Sequence, residues 1–408
     1  MKRALALFVS PALLAVLTAC DSGGGGADPS DAAVDTDGDA TAPVEDAQVE
    51  GDGTPPLSLR SVSGDLTFAE IGPRGGHLFS LQADGQVKQR ITADQAFWSH
   101  HAVGPDPRYV LAVRHRDGDG DGNDDPDGPG EVWLIDVRDR TSFPLSPAGC
   151  DAGIGGVGWR DEVRVMFSMS CDGAPAVIYL ASSQDRSRSV ATMLPVTSHD
   201  VPVRDVFPAV ATPLFTYVVE AEACSAGGSC ITKPQIWVGD ADIGLRCRVT
   251  DGDTRFTDTS TITGPRRHLG DHAPAFNGDL SSVTFSRNVG GKGRGPEGHL
   301  DLMRVGLDRR ALFRGDELCV QGGTLTNLSD ELFDDALNAQ ERFPRGPAGR
   351  APTGSVLYTS EITNDTEVLQ SNVVVVSPTG ERTALTAEGG RASYATWIVT
   401  DYLLDGER

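Results

Sequence analysis

The densest run of side chains able to do chemistry is Asp117-Gly118-Asp119-Gly120-Asp121-Gly122-Asn123-Asp124-Asp125, which reads D-x-D-x-D-G-x-x-D. Alternate carboxylates of a turning loop face one side, and Gly122 permits a sharp bend. The Asn123 carbonyl and Asp125 add further oxygens. Asp117, Asp119, Asp121, Asn123 and Asp125 are therefore expected to bind calcium through the oxygen-rich shell this ion takes. The bidentate Glu that closes an EF-hand loop has no counterpart, because the twelfth position is Gly128. Asp127 or Glu131 would have to complete the shell. The expected role is structural, since carboxylates this crowded repel one another without a cation. The alternative is a solvated acidic hairpin tip.

A second set of candidates is His100, His101, His199 and His272, each near the start of a strand-rich unit. Imidazoles converging on one axis would suit a transition metal. Without convergence each ring packs against a neighbouring strand or faces water. Other motifs fail on context. Gly153-Ile154-Gly155-Gly156-Val157-Gly158 fits G-x-G-x-x-G, but no helix follows, so it is expected to be a turn. Gly290–Gly295 lacks the Ser or Thr of a phosphate loop. No G-x-S-x-G or H-E-x-x-H occurs, and no nucleophile is visibly paired with a base.

The elements that must position these residues begin with an export signal. Lys2 and Arg3 precede an apolar run over 4–17, interrupted at Ser10 and Pro11, which is too short for a convincing membrane span. It ends in Leu17-Thr18-Ala19-Cys20, which resembles the bacterial lipobox. The resemblance implies that 1–19 is a lipoprotein signal peptide and that Cys20 is lipidated, holding the chain at a membrane by acyl chains. Whether that membrane is inner or outer stays open. Residues 20–56 then read as a disordered tether. From Asp21 onward it carries ten acidic residues, no basic ones and no aromatics, so it cannot offset its ordering entropy by burial.

The six remaining cysteines form an even set in an exported chain, which suggests disulfides among fifteen possible pairings. Cys224 and Cys230 flank a short Gly/Ser stretch and are the first expected pair. Cys150 with Cys171 would tie the entry of one unit to its hairpin. Cys247 with Cys319 follows by elimination.

The whole chain of 408 residues carries 58 Asp plus Glu against 35 Lys plus Arg, a net charge of −23. Removing the acids of 21–56 and the two leader bases leaves −15 on the remainder. Phosphate would be repelled, so nucleic acid is not an expected partner. The 48 Gly and 25 Pro favour short strands joined by turns over long helices.

Residues 57–408 repeat one pattern six times. Apolar runs centred on Phe79, Trp133, Tyr179, Trp237, Met303 and Val374 are each preceded by another strand. Most are followed by a third that ends in Thr or Leu. A fourth opens each unit with an aromatic, at Trp98, Trp159, Phe207, Phe276 and within 337–343. The first unit lacks its opening strand, which 392–397 supplies. This predicts an all-β fold, a six-bladed β-propeller of four-stranded antiparallel blades closed by a C-terminal strand. The units resemble the blades of TolB-like (PD40-type) propellers, through Trp98-Ser99 with Gly104-Pro105-Asp106 and through Phe276-Asn277-Gly278-Asp279. The histidine set is also similar to that of propeller oligogalacturonide lyases, whose channel histidines hold a divalent metal.

In such a blade the hairpins between strands two and three share a face with the interblade connections. That face is elaborated here by 114–130, 221–233, 287–298 and 361–371, whereas the opposite face has tight turns apart from an insert at 306–323. A binding site is expected on the elaborated face. The expected role is a monomeric, membrane-anchored envelope propeller acting as a non-catalytic binding or scaffold module for protein, peptide or glycan. The alternative is a metal-dependent polysaccharide lyase or hydrolase using the channel histidines.

Overall fold

The computed structural model describes residues 61–400 except 73–74, 119–123, 127, 154, 198, 225–229, 251–266, 291–298, 329–338, 347–348, 350, 352–353, 364–367 and 387–390. Six four-stranded antiparallel sheets follow one another as blades. Blade 1 holds β1 (Leu66–Gly72), β2 (Gly75–Leu81) and β3 (Lys88–Arg90). Blade 2 holds β4 (Phe97–Val103), β5 (Tyr109–His115), β6 (Gly130–Asp136) and β7 (Thr141–Pro144). Blade 3 holds β8 (Val157–Trp159), β9 (Arg164–Met169), β10 (Val177–Ser182) and β11 (Leu194–Pro195). Blade 4 holds β12 (Val203–Pro208), β13 (Leu214–Cys224), β14 (Cys230–Asp240) and β15 (Arg246–Arg248). Blade 5 holds β16 (Arg267–Phe276), β17 (Ser282–Gly290), β18 (His299–Gly306) and β19 (Thr326–Asn327). Blade 6 holds β20 (Ala339–Arg345), β21 (Val356–Thr363), β22 (Val368–Val376) and β23 (Arg382–Ala384). Finally β24 (Ala392–Trp397) pairs with β1 and completes blade 1, with Leu66 opposite Trp397. The ring therefore closes by joining the last strand to the first blade, which removes two exposed edges.

Strand alternation supplies the packing between blades. Phe215, Tyr217 and Val219 of β13 form one buried layer with Met166, Ile178 and Leu180 of blade 3. Leu214 and Val218, on the other face of β13, belong to the main core. Each such side chain removed from water contributes on the order of 1.5–3 kcal/mol.

Two expectations change. Residues 221–224 and 230–233 are strand rather than loop, as are 287–290, while 225–229 and 291–298 lie outside the described residues. The β13–β14 register runs unbroken from Leu214↔Asp240 to Cys224↔Cys230, and β17–β18 pairs out to Val289↔His299. The elaborated face thus carries protruding β-ribbons. Blade 3 also has an outer strand, β11, which the expected pattern left out; its run Leu194-Pro195-Val196-Thr197 ends on a Thr197 hydroxyl that accepts from the Ile178 N–H at 3.0 Å.

The insert at 306–323 lies, as expected, among the tight turns. It contains a one-turn helix, α1 (Arg309–Arg314), capped by Asp308 accepting from the Arg310 and Ala311 N–H groups and ended by Gly315 at φ 73°. The chain then crosses to blade 4. Arg248 N–H donates to the Glu317 carbonyl at 2.8 Å, Cys319 N–H donates to the Arg248 carbonyl at 3.1 Å, and a Cys247–Cys319 disulfide locks the crossing. Blade 5 therefore clasps the outer edge of blade 4. The Cys150–Cys171 disulfide is formed as expected; Cys230 is disulfide-bonded, and Cys224 lies opposite it in the strand register.

Candidate functional site

Each blade lays its first strand along the central axis, running from the elaborated face to the tight-turn face. In several blades this strand carries a β-bulge at the same level. The register shifts between Ser99 and His101, Arg204 and Phe207, His272 and Ala275, and Arg342 and Arg345, and in blade 1 opposite Thr67–Ala69. Asp205, Ala273 and Tyr394 take positive φ there, at 53°, 50° and 55°. A bulge re-aims the inserted side chain, and the inserted residues of blades 1, 2, 4 and 5 are Tyr394, His100, Asp205 and Ala273. Blade 3 has Gly155 and Gly156 instead, at φ 136° and 80°. A Cβ on Gly155 would meet the Asp205 carboxylate at 2.6 Å, so glycine leaves room for that acid.

The result is a polar cluster at the channel mouth. Arg204 donates to Asp205 at 2.6 Å, to Glu220 at 2.7 Å and to His272 Nδ1 at 2.7 Å. Asp205 also accepts from the Ala273 N–H at 3.1 Å. Burial would raise the Asp205 carboxyl, but Arg204, His100, the Ala273 N–H and His272 outweigh it and hold the acid below its usual range. Burial would likewise lower Arg204, and Asp205 and Glu220 hold it above its usual value. His100 rests on Tyr394 with ring centroids 4.9 Å apart. Burial pushes His100 down to about 4 despite the opposing Asp205 charge. Arg345 of β20 reaches the neighbouring inner strands, donating to the Ala273 carbonyl at 3.3 Å and lying 5.2 Å from the Phe207 ring centre.

Past the bulges the same strands turn apolar. Ala102, Trp159, Phe207, Pro208, Trp397 and Val399 line a small open pocket toward the tight-turn face. Trp159 Nε1 donates to the Ala102 carbonyl and Trp397 Nε1 to the Arg345 carbonyl, so both indoles are fixed.

Of the four expected channel histidines, the structure brings His100 and His272 to the Arg204–Asp205 cluster. It does not bring the other two. His101 faces blade 1, where burial pushes it down to about 3. His199 Nε2 meets the Tyr217 hydroxyl at 3.0 Å and its ring lies on Trp237, between blades 3 and 4. Burial pushes His199 to about 4 and raises the Tyr217 phenol. Among the described residues no group of three or more His, Cys, Asp or Glu is placed to hold a metal. His272 Nδ1 is already the acceptor for a guanidinium, which is always a donor.

In the proposed calcium loop, Asp119, Asp121 and Asn123 lie outside the described residues, so the shell as a whole is not described. Asp124 pairs with Arg114 at 2.8 Å. Cys20 also lies outside the described residues. One Ser–His contact escaped the sequence: Ser99 Oγ to His115 Nε2 at 2.7 Å, with His115 Nδ1 at 2.9 Å from the Gly128 carbonyl. Ser99 is 1% exposed and His115 8% exposed, so both partners of this contact are buried. Sequence reasoning also missed Arg204, Asp205, Arg345 and Tyr394. Setting the opening strands in one frame would have aligned Asp205 and Tyr394 with His100.

Comparison with solved structures agrees with this architecture. TolB from Acinetobacter baumannii superposes with a TM-score of 0.51 at 14% identity, covering 85% of this chain and 69% of that one. Kuenenia stuttgartiensis hydrazine synthase gives a TM-score of 0.51 at 13% identity over 84% of this chain and 48% of that one, so this chain spans about half of it. A putative TolB from Agrobacterium tumefaciens has a TM-score of 0.47 at 15% identity, covering 83% and 93%. No protein-family model and no curated protein matches the sequence. At these identities the likeness speaks to fold alone: the chain is a six-bladed β-propeller closed by its own C-terminal strand, similar in fold to TolB.

Proposed function

We propose that this propeller is a non-catalytic binding or scaffold module of the bacterial cell envelope, held at a membrane through lipid on Cys20 and engaging a protein, peptide or glycan with its elaborated face. The observation that carries this reading is the channel mouth. Its charged side chains are committed to one another, through Arg204 with Asp205, Glu220 and His272, and the β13–β14 and β17–β18 ribbons stand on the same face. Such a rim offers recognition surface on a rigid base. A free nucleophile or general base at the mouth would favour an enzyme; among the described residues the Ser99–His115 contact is buried.

Two further parts belong to the same reading. The 117–125 loop binds Ca²⁺ structurally, with Asp124 reserved for Arg114. Cys20 carries acyl chains, so metabolic fatty-acid labelling is expected on the wild type and absent from Cys20→Ser.

Photo-crosslinking in living cells tests the binding face. A probe replacing the exposed Glu222 on β13 is expected to give discrete adducts with a non-lipid partner, and a probe at Asp279, in the β16–β17 turn, none. Adducts from Asp279 alone, or from neither site, would overturn the assignment.

A further inference from the structure

The exposed large apolar side chains of the described residues share one side of the propeller. Leu194 (56% exposed), Ile243 (58%), Phe313 (56%) and Leu325 (49%) all sit in or beside the connections between third and fourth strands of blades 3, 4 and 5. The less exposed Val87, Val163 and Val190 occupy turns of the same face. These positions are neighbours around the ring, so they form an arc on the tight-turn face. The segments Ser-Ala-Gly-Gly-Ser at 225–229 and Gly-Lys-Gly-Arg-Gly-Pro-Glu-Gly at 291–298, which lie outside the described residues, hold no large apolar residue in sequence.

The chain enters the propeller from the tight-turn face. Val62 N–H donates to the carbonyl of Pro107, in the β4–β5 turn, at 2.7 Å, and Asp65 N–H donates to Leu81 at 2.9 Å. Residues 20–60 are thus the whole connection between the lipobox cysteine and this face. The arc is also chemically suited to a lipid–water boundary. On α1, Arg310, Phe313 and Arg314 are exposed while Ala311 and Leu312 are buried, so an aromatic projects between two guanidinium groups at i, i+3 and i+4. Arg314 is balanced by Asp316 at 2.6 Å, which keeps the patch from being strongly cationic.

We propose that the tight-turn face of blades 3–5 is a membrane-contact surface, laying Leu194, Ile243, Phe313 and Leu325 into the interfacial layer of the bilayer that carries the Cys20 anchor. The proposal rests on the lipid-anchor reading for which bilayer is met, but the face acts through its own side chains. Apolar side chains entering the interface add a contact of their own to the acyl anchor and decide which face of the propeller meets the lipid. With the patch near charge balance, the contact is driven by apolar burial and is little affected by salt. The elaborated face is then turned away from the lipid.

The test uses the mature chain exported behind a cleavable leader so that it begins at residue 21, without lipid, floated with vesicles of phosphatidylethanolamine and phosphatidylglycerol at 3:1. Measurable flotation is expected at both 50 mM and 500 mM salt. The combined variant Leu194→Ser, Ile243→Ser, Phe313→Ser and Leu325→Ser is expected to bind at least about tenfold more weakly with an unchanged melting temperature, since all four side chains are solvent-facing. Glu222→Ala on the ribbon face is expected to bind like wild type. No flotation of the wild-type chain, or equal flotation of the combined variant, overturns the proposal. Protein rather than phospholipid adducts from a photo-probe at Phe313 in cells also overturn it, assigning the arc to a protein partner. Because the chain tested is unlipidated, failure of acyl labelling at Cys20 is read separately and leaves this result standing.

Discussion

The two faces of this propeller are built from the same strands and differ in nearly everything else. On the elaborated side the inner strands present Arg204, Asp205, His100 and His272, and the ribbons of blades 4 and 5 rise around them. On the other side the same inner strands, a few residues later, present Trp159, Phe207 and Trp397, and the rim carries Leu194, Ile243, Phe313 and Leu325. The change of character occurs across one inserted residue per strand. A bulge therefore does more than bend a blade: it separates a channel with a charged end from one with an apolar end.

The largest expected effect comes from unbalancing the charged end. Arg204→Met leaves Asp205 buried without its cation, and a loss of about 3–5 kcal/mol in denaturant unfolding is expected. A loss below about 1 kcal/mol would mean that Asp205 is solvated and the mouth is not a closed network. Next is the clasp on the opposite side. Cys319→Ala opens a disulfide spanning 72 residues and is expected to cost about 2–4 kcal/mol, more than Cys171→Ala, whose disulfide spans 21. Equal losses would place the clasp outside the cooperative unit.

Acid should act through the buried imidazoles. His100 and His101 are depressed to about 4 and about 3, so the unfolded chain takes up protons below about pH 6.5 while the folded chain does not. Their stability contribution is therefore complete above that pH and is lost as pH falls toward those values. Lowering pH from 7 to 5 is expected to cost about 2 kcal/mol for each such ring, and His101→Gln should flatten the slope by that amount. Asp205 acts lower: its contribution is held above the ordinary carboxyl range and is lost only below it. The smallest effect expected is that of calcium. At tenfold excess over its dissociation constant it would stabilise by about 1.4 kcal/mol, read as a rise in melting temperature that Asp119→Asn with Asp121→Asn abolishes. No rise at millimolar Ca²⁺ would leave a solvated acidic tip.

The ring itself was legible because period-two runs recur in a fixed order, and 392–397 resembles the missing opening strand. The ribbons were not. Glu222 and Lys233 read as loop residues, because a ribbon that projects past its neighbouring blades need not be apolar on either face. The channel was half legible. His100 and His272 mark it, but an inserted backbone residue has no preferred side chain, so Asp205 and Tyr394 at the same level gave no signal of type. His199 shows the converse. It stands just before an opening strand whereas His100, His101 and His272 lie within theirs, and its ring meets Tyr217 and Trp237, which spacing alone does not encode.

The central claim is that one face meets lipid and the other meets a soluble partner. It is tested most directly by nitroxide labels at Phe313 and at Glu222 in the lipidated full-length protein reconstituted into vesicles. Their accessibility to oxygen and to a water-soluble nickel chelate is then compared. The account predicts a label at position 313 that favours oxygen and one at 222 that favours the chelate. Two labels equally open to the chelate, or the reverse order, would contradict it.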